Sequence, residues 1–97
     1  MGYKVAVIAK TLSKLLVRLV NENKEFEAVG FTSVDEMDMK TIGDYDIALI
    51  AGGIENNDIK LIKGIILNNK LNTKLIEHYG GGSGLLLQEL YDAINKK

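Results

Sequence analysis

The sequence predicts an α/β domain, a three-layer open parallel sheet of four strands in the order 2-1-3-4 with helices on both faces. Three observations carry that prediction. Residues 5–9 and 47–51 are continuous apolar runs, the pattern of strands covered on both faces rather than one. Between the first run and a shorter second strand, Leu12, Leu15, Leu16, Leu19 and Val20 recur at the spacing of an amphipathic helix. Glycine clusters follow two of the strands, Gly52-Gly53 and then Gly80-Gly81-Gly82-Ser83-Gly84. Bare backbone of this kind suits a tight strand-to-helix turn.

Each element has its own signal. The first strand is expected over residues 3–9, with a helix opening at Thr11 or Ser13 as N-cap and ending near Asn23. Residues 26–32 form a second strand, which Gly30 interrupts and so places nearer an edge. Ser33-Val34-Asp35-Glu36 has the form of a capping box and predicts a short helix over Met37 and Ile42, ended by Gly43. Residues 45–51 are the third strand. Asn57 or Asp58 then caps a helix carrying Ile59, Ile62 and Ile66, with Leu61 and Ile65 on a neighbouring stripe. Residues 73–79 make a fourth strand of mixed polarity, and the last helix carries Leu86, Leu87, Leu90, Tyr91 and Ile94. Four strands alternating with four helices imply right-handed parallel crossovers. The first and third strands are the most apolar and belong in the centre. The order 3-2-1-4 would leave the third outside, so 2-1-3-4 is preferred.

The chain of 97 residues supports one core, hence a single domain over residues 1–97. With 12 basic and 13 acidic side chains its net charge is −1, which provides no field to draw in nucleic acid or an anionic membrane. No apolar run approaches the ~20 residues that span a bilayer, and the cytoplasm is the default compartment. The absence of cysteine removes disulfides, a thiolate nucleophile and cysteine-based zinc sites.

In an open sheet of this order a ligand crevice lies beyond the carboxyl ends of strands one and three. Three loops border it, and the last feeds a helix N-terminus, where orphan N–H groups and the helix dipole favour an anion. The candidate ligand-binding residues are Lys10, Thr11 and Ser13 in the first loop, Gly52 and Gly53 in the second, and Tyr79, Gly80, Gly81, Gly82, Ser83 and Gly84 in the third. Four glycines in five positions exceed what a turn needs. A small non-catalytic binding domain for a phosphorylated or carboxylate ligand is the expectation. The third loop is neither a Gly-x-Gly-x-x-Gly motif, since Leu85 stands at the last glycine, nor a Walker A loop. Glu77-His78 is the one candidate acid/base pair, but neighbours on a strand point to opposite faces. A lone histidine without a fixed partner has a structural role as its ordinary reading. No metal site is expected from Glu55, Asp58 and Glu77, whose simpler roles are capping and solvation.

The segment Gly43-Asp44-Tyr45-Asp46-Ile47-Ala48-Leu49-Ile50-Ala51-Gly52-Gly53-Ile54 is similar to the third strand and loop of flavodoxins. Lys10-Thr11-Leu12-Ser13-Lys14 occupies the place of their phosphate loop, and the last glycine loop that of their second flavin-flanking loop. The resemblance implies a flavodoxin-like fold. Carried to the cofactor it implies FMN, with Thr11 and Ser13 at the phosphate, Gly52 to Asn56 beside the ring and Tyr79 stacked on it. The chain departs from flavodoxins in lacking the Thr-x-Thr-Gly-Asn-Thr pattern, tryptophan, and a fifth strand and helix. Receiver domains also resemble this layout, but their acidic pair and phosphoacceptor aspartate are replaced by Ala9-Lys10 and Ala51-Gly52. Phosphotransferase-system domains of similar size use a cysteine after strand one, and cobalamin-binding domains need an Asp-x-His-x-x-Gly motif. Neither is present. Two other roles stand beside anion binding: a ligand-free dimeric interaction module and an FMN electron carrier. The homodimer would form through residues 73–79 and 85–96, because strand four is an edge and Leu85 or Leu87 extends the apolar surface of the last helix.

Overall fold

A computed structural model describes residues 2–78 and 82–95. The elements are β1 (Tyr3–Ile8), α1 (Ser13–Asn21), β2 (Phe26–Phe31), β3 (Ile47–Ile50), α2 (Asn56–Asn68), β4 (Lys74–Glu77) and α3 (Gly82–Asn95). All strand pairs are parallel and the order is β2-β1-β3-β4, as the polarity of the strands predicts.

The two central strands explain the layering. Val5 to Ile8 and Ile47 to Ile50 are fully buried, and alternate side chains enter two different cores. Val5, Val7, Ile47 and Leu49 pack with Leu16 and Val20 of α1 and with Leu86, Leu90 and Ala93 of α3. Ala6, Ile8 and Ile50 pack with Ile59 and Ile62 of α2 on the opposite face. Burying one such large side chain contributes roughly 1.5–3 kcal/mol, above the ~1 kcal/mol span of strand propensity. Sheet position is therefore decided by burial. None of the described helices is long and apolar enough to cross a membrane.

The crossover from β2 to β3 corrects one expectation. The predicted second α-helix is replaced by two 3-10 segments, Val34–Glu36 and Met39–Asp44, leaving three α-helices among the described residues. Between them Met37 is extended, at φ −93° and ψ 137°. Val34, Met37 and Ile42 are all buried in the α2-side core, and Ile42 follows Met37 by five residues, which would put them on different faces of an α-helix. The acid of the capping box does reach back. Glu36 accepts from the Thr32 hydroxyl at 2.6 Å and from the Thr32 N–H. Because this crossover is thin, the outer part of β2 stays uncovered on that face. Lys4, Glu27, Val29, Thr41, Asp44 and Tyr45 line a shallow recess of about 190 Å³ there.

The outer edge of β2 is partly closed by the chain itself. Its outward backbone groups belong to Phe26, Ala28 and Gly30, since Glu25 and Phe31 accept from β1 through Tyr3 and Ala9. The Asn21 amide accepts the Ala28 N–H at 2.8 Å and donates to the Ala28 carbonyl at 3.5 Å. The Phe26 N–H donates to the Asn23 carbonyl at 3.1 Å. Replacing Asn21 by alanine is expected to lower stability by about 1 kcal/mol, read from urea denaturation; an unchanged midpoint would show that water replaces the amide without loss.

The Thr32 hydroxyl, then its amide, hold the Glu36 carboxyl below the ordinary 4.5. A carboxylate whose folded pKa is lowered stabilises the fold above its unfolded value, and the contribution disappears as pH falls through the folded value. Glu36→Gln should therefore be less stable than the parent at neutral pH, with the gap closing below pH 4.5. Denaturation midpoints across pH check this, and a constant gap would contradict it.

Candidate functional site

The carboxyl ends of β1, β3 and β4 lie level, with Ile8 beside Ile50 and Ile50 beside Glu77. Beyond them the backbone is stitched across the strands. The Ala51 N–H donates to the Ile8 carbonyl at 3.0 Å, the Lys10 N–H to the Gly52 carbonyl at 3.2 Å, and the His78 N–H to the Ile50 carbonyl at 2.7 Å. Gly53 has φ +92°, and a Cβ there would lie 2.5 Å from the Lys10 Cβ. Lys10, Gly52 and Gly53 are therefore brought together, and glycine at 53 is a steric requirement.

Helices α1 and α3 share one face of the sheet, since both feed the same core. Both begin at the carboxyl edge of the sheet, the end at which a helix has N–H groups without an intrahelical acceptor. Gly82 and Ser83 are the first residues of α3. Gly84, in its first turn, and Gly52 are exposed. Tyr79, Gly80 and Gly81 lie outside the described residues.

Thr11 is exposed in the turn, but neither it nor Ser13 caps α1. The N-cap is Leu12, which makes no side-chain cap bond. Ser13 is instead the first helical residue, buried over β2, with its Cβ 3.7 Å from where a Gly30 Cβ would be. With Lys14, Val17, Thr32 and Glu36 it lines a recess of about 340 Å³ on the β2 side. Packing on Gly30 decides its orientation. Likewise α2 is preceded by Glu55, without a side-chain cap bond, rather than by Asn57 or Asp58. Among the described residues no group of three or more histidines and carboxylates could hold a metal ion.

Glu77 and His78 do point to opposite faces. Glu77 pairs with Lys63 of α2 at 3.3 Å. His78 is buried, and its Nδ1 meets the Glu89 carboxylate of α3. The expectation of a histidine without a fixed partner is thus corrected. Its partner lies on the next element, and the only signal was an acidic residue on the flank of the Leu86–Leu90 stripe.

The steric role of Gly53 gives a direct test. Gly53→Ala is expected to cost about 1–3 kcal/mol, because it forces positive φ on alanine and pushes on Lys10. A chemical denaturation midpoint equal to the parent's would show that the loop relaxes freely.

No family model matches the chain, and no curated protein matches it in sequence. Among solved structures, it is similar to the lactose-specific IIB component domain of the phosphoenolpyruvate:carbohydrate phosphotransferase system from Streptococcus pneumoniae. The TM-score is 0.66 over 97% of this chain and 92% of that one, at 16% identity. At that identity the likeness establishes a shared small α/β fold.

Proposed function

We propose that this chain holds a small anion, a phosphate ester or a carboxylate, at the carboxyl edge of β1, β3 and β4, without transferring it. The observation that carries this reading is a pair of glycines the fold does not require. Gly52 and Gly84 are exposed, neither has positive φ, and a Cβ at either would meet nothing within 4 Å. In the first turn of α3, alanine would be favoured over Gly84 by about 0.5–1 kcal/mol. Bare backbone kept at a fold's expense, on the rim between two helix N-termini, suits close approach of an anion to N–H groups.

Lys10 would supply charge and Thr11 a hydroxyl, while Ser13 would contribute its backbone N–H, since its side chain is turned to β2. The fold neighbour belongs to a system named for phosphoryl transfer, which makes phosphate the first ligand to try. Covalent thiol chemistry is closed to this chain. It has no cysteine, and Ala9 and Lys10 follow β1.

The test uses inorganic phosphate, pyrophosphate, citrate and FMN, followed by amide chemical shifts and melting temperature. The expected result is a response of Lys10, Gly52 and Gly84 amides to at least one of them. Gly84→Ala and Gly52→Ala should keep or raise stability while weakening that ligand about tenfold, the scale of one charge-assisted hydrogen bond. Gly64 has the same open space in the middle of α2, so Gly64→Ala is the comparison and should leave affinity unchanged. Equal binding by all three variants would sink the reading.

A further inference from the structure

One recess lies apart from the crevice between β1 and β3. Ser13, Lys14 and Val17 of α1 line it together with Gly30, Thr32 and Glu36 at the carboxyl end of β2, and its volume is about 340 Å³. Small-molecule sites run from about 300 to 1,000 Å³, so the space suits a ligand of few atoms. Its walls carry polar groups that the fold leaves unanswered. Ser13 is 6% exposed, yet its hydroxyl has no hydrogen-bond partner among the described residues. No fully buried side-chain oxygen or nitrogen among them lacks a partner, so this hydroxyl opens onto the recess that Ser13 lines. It is a donor and an acceptor still to be used. Gly30 turns its N–H and C=O away from β1, and unlike the N–H groups of Phe26 and Ala28 they meet no described partner. Lys14 and Glu36 bring opposite charges to the recess without pairing with each other. The ion pairs among the described residues are Lys63–Glu77 and His78–Glu89. Glu36 keeps its charge at neutral pH because the Thr32 hydroxyl, then the Thr32 amide, hold its carboxyl below the ordinary 4.5. Lys14 stands in the first turn of α1, where a cation opposes the helix dipole unless an anion is near.

We propose that this recess binds a free α-amino acid with an apolar side chain. The carboxylate of the amino acid meets Lys14 and the Ser13 hydroxyl, at the helix end where the dipole also favours negative charge. The ammonium meets Glu36, and the Gly30 carbonyl is an acceptor left for its other hydrogens. Val17 is the aliphatic wall for the side chain. The charge pattern selects this occupant. An anion alone would face Glu36 unfavourably, and a cation alone would face Lys14. The end of a peptide carries only one of the two charges, whereas a zwitterion answers both walls. The inference stands independently of an anion at the edge of β1, β3 and β4.

The test uses the full chain with L-leucine, N-acetyl-L-leucine and L-leucinamide, followed by the amide shifts of Ser13 and Gly30 and the methyl shifts of Val17. Leucine is expected to move all three saturably. Each capped form lacks one charge and should bind about tenfold more weakly, the scale of one charge-assisted hydrogen bond. Ser13→Ala should weaken leucine by a similar factor while the denaturation midpoint stays level or rises, since the hydroxyl makes no bond within the fold. Lys14→Gln, an exposed change, should also weaken it about tenfold. The absence of a saturable response to leucine, and to valine and methionine in its place, overturns the proposal. Equal affinity for leucine and either capped form overturns it too. Parent affinity in both variants overturns the location, as does a response confined to the Lys10, Gly52 and Gly84 amides. If Ser13→Ala fails to fold, Lys14→Gln and the capped forms decide.

Discussion

The structure depends on one constraint: β1 and β3 are apolar on both faces and must be covered twice. No two-layer arrangement can satisfy a strand whose alternate side chains, such as Val7 and Ile8, are both fully buried. This need sends α1 and α3 to one side and α2 with the 3-10 crossover to the other. It also pushes the less apolar β2 and β4 to the edges. Since the connection from β1 leads outward to β2 and that from β3 leads to β4, the topological switch falls between the two buried strands. The position of the candidate site is thus a by-product of core formation.

That same constraint explains which features were legible in the sequence. Continuous apolar runs speak for burial on two faces without any knowledge of partners, so the central strands, the edges and their order could be read directly. Helix starts could not. Thr11 and Ser13 are both good capping residues by local chemistry, yet Ser13 is used to pack over Gly30, a contact made across 17 residues of sequence that no local pattern records. The Ser33–Glu36 box was half informative. Glu36 does turn back to the preceding backbone, but the chain then straightens at Met37 so that Ile42 can reach the core. Burial of three separated side chains outweighed the helical continuation that the box suggests. His78 was visible as a lone histidine, whereas its pairing with Glu89 depends on α3 returning alongside β4.

Of the candidate ligand residues, the structure gathers Lys10, Gly52 and Gly53 by backbone stitching, and sets Gly82 to Gly84 at the start of α3 on the same edge. Glycines that looked alike in sequence separate into two kinds. Gly53 is needed by the fold because of its φ and its approach to Lys10, while Gly52 and Gly84 have room to spare. The residues after β1 are Ala9 and Lys10, which offer a small side chain and a cation but no nucleophile.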